Sequence, residues 1–222
     1  MLKIQIVANL LVGLTLASTP LAFAQNLIVN VVDQQGQPLA DAVVSVATGE
    51  AEQPRAGGAI MDQVETLFDP FVLTVPTGTT VRFPNSDNIR HQVYSFSEAN
   101  PFELPLYSNR EAPTIDFNTA GIVVLGCNIH DHMRAYIYVS PHAVSQVTNA
   151  DGQAELNWQS TDQATLHVWY PGLSDTITNE FQREIDASAT TMTVQLPVVA
   201  QQQETPKLSP LQERFNRRKG NE

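Results

Sequence analysis

The chain is predicted to be an all-β protein made of packed sheets. Short runs rich in Val, Ile, Thr and aromatic residues alternate with clusters of Gly, Pro, Asn and Asp, which is the pattern of strands and turns. Residues 25–199 contain no convincing amphipathic helical pattern of about ten residues or more. The composition, 42% hydrophobic and 16% charged, is typical of a globular protein. Many short strands of this kind indicate a β-sandwich or barrel.

Residues 1–24 have the order of a secretory signal. A positive charge at Lys3 is followed by an apolar run over 4–16 and by the small-residue ending Ala22-Phe23-Ala24. A membrane anchor is disfavoured because spanning a bilayer takes about 20 apolar residues. We therefore expect cleavage after Ala24, a periplasmic or otherwise exported protein, and no integral membrane segment after cleavage.

The charge distribution bears on whether the partner is a nucleic acid or a basic protein. Residues 25–199 hold 20 acidic and six basic side chains, and no lysine occurs between Lys3 and Lys207. Nucleic acid is excluded as a partner because phosphate binding needs a basic surface. An acidic surface suits a basic protein partner found by electrostatic steering, although solubility alone explains it equally well.

The strand prediction starts with two short N-terminal strands, 27–32 and 42–47, joined by a Gly- and Pro-containing turn. Residues 48–59 are small and polar and are predicted to be a loop or linker. The central part then contains strands at 71–75, 80–83, 91–96, 115–117, 122–125 and 135–139, with a proline-rich loop over 100–113.

The C-terminal part has the same pattern of short apolar runs and turns as the first two strands. The segment Asn149-Ala150-Asp151-Gly152 is a strong turn signal. Further strands are predicted at 165–169 and 191–198. Residues 200–222 hold five of the twelve basic side chains and are predicted to be a mobile or helical tail.

The chemistry is concentrated around the single cysteine, Cys127. A lone cysteine in an exported chain is buried and inert, bonded to another chain, or a ligand. Here a strand ending at Cys127 is followed by His130 and Met133, and the next strand begins at Ala135. Thiolate, imidazole and thioether therefore share one tight loop, which favours copper or zinc over magnesium or calcium.

Two histidines and a cysteine with a weak axial methionine form the ligand set of blue-copper electron-transfer sites. The loop supplies three of these ligands, so the fourth must be a distant histidine. His91, at the start of a predicted strand, is the best candidate. His132 is interpreted as a loop residue, a rival ligand or a proton-linked modulator. His142 and His167 have no partners in sequence and are interpreted as structural.

At this point residues 60–140 resemble the cupredoxins, the small blue copper proteins. The spacing Cys127-x-x-His130-x-x-Met133 is the short one seen in amicyanin, and the spacings from Asn85 to His91 and from Gly121 to Cys127 match plastocyanin. The resemblance implies a Greek-key β-sandwich holding one type 1 copper ion. Its equatorial ligands are then His91, Cys127 and His130, and its axial ligand is Met133.

The sequence departs from the cupredoxin pattern at two places. Gln92 stands where these proteins usually have an asparagine that braces the cysteine loop, and the ligand loop contains no proline. Both departures bear on the reduction potential, because hydrogen bonds around the ligands tune it.

Residues 25–50 and 144–198 resemble a transthyretin-like, carboxypeptidase-regulatory type β-sandwich that is split in sequence around the copper domain. The matching segments are VVDQQGQPLADAVVSV and VTNADGQAEL. The whole arrangement resembles proteins labelled methylamine utilization protein, although no residue pattern indicates amine chemistry.

These resemblances imply an exported electron carrier rather than an enzyme. Its partner would be a redox protein with a basic docking surface, such as a c-type cytochrome or a dehydrogenase. The alternative is an exported binding or scaffold module, or a copper-storage protein without redox turnover. A copper enzyme is disfavoured because four protein ligands leave no open position for substrate. Zinc remains compatible with the ligand types.

Overall fold

The fold is seen in a computed structural model, which describes residues 23–48, 58–108, 111–160, 163–186 and 188–203. These residues form β-strands and one 3-10 turn, Ile177–Asn179, with no α-helix among them. The all-β prediction is therefore confirmed. In chain order the strands are β1 (Phe23–Val32), β2 (Val43–Ala47), β3 (Gly58–Ile60), β4 (Asp62–Val64), β5 (Leu67–Asp69), β6 (Val72–Pro76), β7 (Thr79–Arg82), β8 (Tyr94–Ser95), β9 (Phe102–Glu103), β10 (Thr114–Phe117), β11 (Gly121–Gly126), β12 (Arg134–Ser140), β13 (Val144–Val147), β14 (Gln153–Ser160), β15 (Gln163–Trp169), β16 (Phe181–Asp186) and β17 (Thr191–Gln195).

The strands form four sheets and a separate hairpin. Sheet I has the order β14-β1-β17, sheet II the order β13-β2-β15-β16, sheet III the order β6-β12-β11-β8-β9, and sheet IV the order β10-β7-β3. Among the described residues, strands β4 and β5 pair only with each other. Sheets I and II thus contain the first two strands and the last five, whereas sheets III and IV and the β4–β5 hairpin contain the strands between them.

One hydrophobic cluster lies between sheets I and II. Every second residue of β1 is buried in it, namely Leu27, Val29 and Val31, as the period of two along a strand requires. Leu166 and Val168 of β15 enter the same cluster from the opposite sheet. A second cluster lies between sheets III and IV and contains Val81, Phe117, Val123, Leu125, Ile137, Cys127 and Met133.

A third cluster joins the two pairs of sheets, and we call it the seam. Ala135, Ile137 and Val139 of β12 face the cluster between sheets III and IV. The alternate residues Tyr136 and Tyr138 face the other way, where they meet Trp169 of β15 at ring-centroid distances of 5.7 and 5.9 Å. Strand β12 is therefore buried on both faces, and the four sheets are stacked in the order I, II, III, IV.

Most predicted strands are present, but the strand expected at 91–96 is not continuous. His91 forms only an isolated bridge to Tyr107, and strand β8 is limited to Tyr94–Ser95. The partner Tyr107 lies in the segment predicted as a proline-rich loop, which also contains β9. The loop runs alongside His91 and pairs with it at one position, but the pairing does not extend into a continuous strand.

The two ends of the chain fall largely outside the described residues. Phe23 and Ala24, the last residues of the predicted signal, belong to β1, where Phe23 pairs with Ser160. Most of the predicted C-terminal tail, 204–222, and most of the predicted linker, 49–57, are not described. Within the described residues, no helix is both long and apolar enough to cross a bilayer.

Candidate metal centre

Cys127 lies directly after β11, the central strand of sheet III. Its side chain is buried, with 3% exposure, and it is not in a disulfide. A Cβ on Gly126 would lie 2.7 Å from the ring of Tyr94. Gly126 therefore leaves room for the Tyr94 ring where β8 pairs with the end of β11.

Backbone hydrogen bonds to Tyr107 fix the position of His91. Its N–H donates to the carbonyl of Tyr107 at 3.1 Å, and its carbonyl accepts from the Tyr107 N–H at 3.0 Å. The amide of Asn85 donates to the carbonyls of Tyr107 and Ile89 at 3.1 and 2.9 Å. These bonds hold both sides of the loop that leads to His91, whose side chain is fully buried.

The side chains of His91, Cys127 and His130 meet at one point. The two Nδ1 atoms are 3.2 Å apart, and the Cys127 Sγ lies 4.0 Å from Nδ1 of His91 and 3.8 Å from Nδ1 of His130. A metal ion in the plane of two nitrogens at about 2.0–2.1 Å and a sulfur at about 2.3 Å gives separations of roughly 3.5 Å (N to N) and 3.8 Å (S to N). The observed triangle therefore has the size that a single metal ion requires.

Met133 closes the loop that carries Cys127 and His130. Its N–H donates to the carbonyl of His130 at 2.9 Å, which makes a tight turn just before β12. Its side chain is 1% exposed and belongs to the same hydrophobic cluster as Cys127. Three of the four predicted residues thus form the triangle, and the fourth is packed into the core beside them.

Asp87 binds the far side of the His91 ring. Its Oδ2 lies 2.7 Å from Nε2 of His91 and accepts the N–H of Thr66 at 2.9 Å, while Oδ1 accepts the N–H of Glu65 at 2.7 Å. Although burial raises the pKa of Asp87, the bonds from Thr66, His91 and Glu65 lower it below its usual value. An ionised Asp87 holds the proton of His91 on Nε2 and leaves Nδ1 free to act as a ligand.

The pKa of His130 is lowered by burial and then by the neighbouring charges of His91 and His132. The neutral imidazole that this favours is the form that binds a metal. His132 itself points elsewhere, since its Nε2 lies 3.0 Å from the carbonyl oxygen of Thr66. Gln92 also bonds away from the cysteine loop, with its amide donating to Glu103 at 2.8 Å.

A second histidine cluster was not predicted. The sequence predicts a structural role for His142 and His167, because nothing near them in sequence is a partner. In the fold they converge with Glu180, and the ligand atoms of the three side chains lie within 4.8 Å of one another. Their spacing in the chain carries no signal, because it is the stacking of sheets II and III that brings them together.

No protein-family profile and no curated protein matches the chain. Similar solved structures include a reduced Cu(I) form of an amicyanin mutant, with 21% identity, a TM-score of 0.36, and coverage of 44% of this chain and 98% of that one. A copper-containing nitrite reductase from Thermus scotoductus is 27% identical, with a TM-score of 0.36 over 50% of this chain and 28% of that one. A purple cupredoxin from Nitrosopumilus maritimus is 22% identical, with a TM-score of 0.33 over 39% of this chain and 100% of that one.

Proposed function

We propose that this chain is an exported protein that holds one type 1 copper ion and exchanges single electrons with a protein partner. The observation that carries the proposal is the triangle of His91 Nδ1, Cys127 Sγ and His130 Nδ1, with sides of 3.2, 3.8 and 4.0 Å. Two imidazoles and a thiolate are donors that copper favours. When bound, copper supplies the redox couple.

The protein's own residues hold the donors still. Sheet III fixes Cys127, the bridge to Tyr107 fixes the backbone of His91, and Asp87 fixes its ring. Met133 would hold the ion as a fourth, weak donor; its burial in the same hydrophobic cluster as Cys127 supports this proposal. Rigid donors keep reorganisation small when the charge at the site changes, which favours transfer of electrons over catalysis. Four protein donors also leave no position for a substrate.

The electron is proposed to pass through the edge of His130, the most exposed of the three donors of the triangle. Two apolar side chains close to the ligands in sequence, Ile89 and Ile129, are 48% and 49% exposed. They suit the small, short-lived contact typical of electron-transfer encounters. The acidic body of the protein would steer a basic partner such as a c-type cytochrome or a dehydrogenase.

We further propose the predicted division into a copper domain, residues 60–140, and a split second domain, residues 25–50 and 144–198. The grouping of β1 and β2 with β13–β17 in sheets I and II supports it. So does the separation of the clusters on either side of the seam. Export through a cleaved signal over residues 1–24 remains part of the same proposal.

The test is to load the chain with Cu(II) and record visible and EPR spectra together with the copper content. We expect one copper per chain and an intense thiolate-to-copper band, which Cys127→Ser abolishes. His132→Gln is the matched control, because His132 lies beside His130 but bonds to Thr66; it should keep the band.

Two results would contradict the proposal. A wild-type protein that binds copper without colour would favour a storage or scaffold role. A band that survives Cys127→Ser but is lost in His132→Gln would replace the proposed donor set.

A further inference from the structure

The second histidine cluster lies apart from the copper triangle. His142 follows the C-terminal end of β12, whereas Met133 precedes its N-terminal end. A strand of this length spans roughly 20 Å at about 3.3 Å per residue. The cluster therefore belongs to a different region of the molecule.

The cluster contains three donors on three different segments. His142 lies in the connection from β12 to β13, His167 lies on β15, and Glu180 lies just before β16. The Nδ1 of His167 and the Oε1 of Glu180 are 2.7 Å apart, and the rings of His142 and His167 have centroids 4.5 Å apart. Two imidazoles and one carboxylate thus converge from separate parts of the chain.

Glu180 is held in an unusual position for a carboxylate. Its side chain is only 3% exposed, and that of His167 is 13% exposed. The buried phenol of Tyr138 donates to the other oxygen, Oε2, at 2.7 Å. This bond leaves Oε1 directed at the histidines. Burial of a charged carboxylate is costly unless a cation or hydrogen bonds compensate it.

The cluster is partly buried and has a further polar side chain near it. Along β15, Leu166 and Val168 face the cluster between sheets I and II, so His167 faces the seam. Ser45 of β2 lies opposite His167 in the strand register. Burial raises the pKa of the Tyr138 phenol, and the buried hydroxyl of Ser45 counters this effect by hydrogen bonding to that phenol. Polar groups of Ser45 and Tyr138 therefore support the cluster from the side of the seam.

We propose that His142, His167 and Glu180 form a second metal site, for a divalent transition-metal ion of the zinc class. Two imidazoles and one carboxylate are a known donor set for zinc, with a water as the fourth ligand. Zinc–ligand distances of about 2.0–2.1 Å place tetrahedral donors roughly 3.3 Å apart, so the His167–Glu180 pair has to open by about 0.6 Å. Binding releases the proton that Nδ1 and Oε1 share.

The position of the site shows which segments a bound metal ion would connect. His142 lies in the connection between β12 of sheet III and β13 of sheet II, and His167 and Glu180 are attached to β15 and β16 in sheet II. A metal ion held by all three side chains therefore ties this connection, and with it the end of β12, to β15 and β16. Its fourth position would be held by a water molecule, because the cluster supplies three protein donors.

The test uses the full chain carrying Cys127→Ser and His130→Gln, so that the copper triangle cannot bind the probe. Zn²⁺ alone is titrated by calorimetry, and thermal unfolding is measured with and without it. We expect one Zn²⁺ per chain and, at about 100 times the dissociation constant, a rise of roughly 5–10 °C in the unfolding midpoint. Adding His142→Gln should abolish both effects, whereas adding His132→Gln should leave them intact.

His142 lies outside the strands, so His142→Gln is expected to fold, and circular dichroism verifies this. X-ray absorption at the zinc edge of the zinc-loaded chain gives a second measurement, with an expected first shell of nitrogen and oxygen, without sulfur, and the signature of two histidines. The proposal is overturned if the chain with the disabled copper triangle binds no Zn²⁺, or if His142→Gln binds it as tightly as His132→Gln. Because Cys127 is already removed, either failure leaves the copper proposal untouched.

Discussion

The two histidine clusters at opposite ends of β12 differ in what the nearby carboxylate does. Each contains a pair of imidazoles with a carboxylate oxygen 2.7 Å from a ring nitrogen. Asp87 binds Nε2 of His91, the nitrogen that faces away from His130, and so supports a donor. Glu180 binds Nδ1 of His167 and is itself a donor. The same residue types thus produce two different sites.

The third donor sets the chemistry of each cluster. Cys127 provides a soft thiolate in a largely apolar cluster, which suits copper in both of its oxidation states. Glu180 provides a hard oxygen held by Tyr138, which suits a divalent ion that does not change charge. Burial and supporting bonds, more than the number of histidines, would then distinguish the proposed copper site from the proposed second metal site.

The largest effect is expected from Cys127→Asp, which gives the first cluster the donor types of the second. Replacing the thiolate by a carboxylate should abolish the intense visible band and lower the affinity for Cu(I) by more than about 100-fold, because a hard oxygen binds a soft ion poorly. Visible spectra and competition with a Cu(I) chelator measure both. A band that persists would show that the thiolate is not the chromophore.

The next largest effect, on copper affinity, is expected from Asp87, the carboxylate that supports His91. Asp87→Asn keeps a polar group beside His91 but removes the charge that holds the proton on Nε2. Copper affinity should fall roughly 10- to 100-fold, the usual cost of losing such a partner. Asp131→Asn is the matched control, since Asp131 is an exposed acid on the ligand loop. Equal losses in the two variants would mean that only net charge matters.

A smaller effect is expected at the second cluster from Tyr138→Phe. The change removes the hydrogen bond to Glu180, and a bond to a charged group contributes about 1.5–3 kcal/mol to the free energy of unfolding. Urea unfolding of the metal-free chain measures this loss. Tyr136→Phe, on the same face of β12, is the control and should cost less. The copper band should be unchanged in both variants.

The smallest effect is a gain in stability, expected from a substitution in the turn of the β4–β5 hairpin, whose N–H groups bind Asp87. This two-residue turn is formed by Glu65 and Thr66, which have positive φ angles of 53° and 61°. Asparagine adopts this conformation more readily than glutamate. Glu65→Asn should raise the stability by about 0.5 kcal/mol, or roughly 1–2 °C, because the N–H bond to Asp87 is kept. Glu98→Asn, at an exposed position without positive φ, should give no gain.

The elements that could be predicted from the sequence are those with a strong local pattern. Strands β11 and β12 are continuous apolar runs, and the ligand loop between them is marked by the spacing of Cys127, His130 and Met133. The edge strand β16 was missed because its sequence FQREID is charged and mostly exposed. Edge strands often carry such residues to prevent pairing with other chains.

The contacts that could not be predicted depend on long-range stacking. Nothing in the sequence around Asp87 indicates that its carboxylate binds both a strained turn and the ring of His91. The convergence of His142 with Glu180 likewise depends on the alternation of β12 and β15 across the seam. Local patterns predict strands and loops, but the faces that meet are set only when the sheets pack.

The double burial of β12 has a practical consequence for dissecting the molecule. A fragment cut to residues 60–140 would retain the three histidine and cysteine donors but would lay bare the rings of Tyr136 and Tyr138, which Trp169 covers in the intact chain. An apolar patch of this kind promotes self-association. A stand-alone electron carrier made from this chain would therefore need a redesigned, hydrophilic back on sheet III before it could remain monomeric.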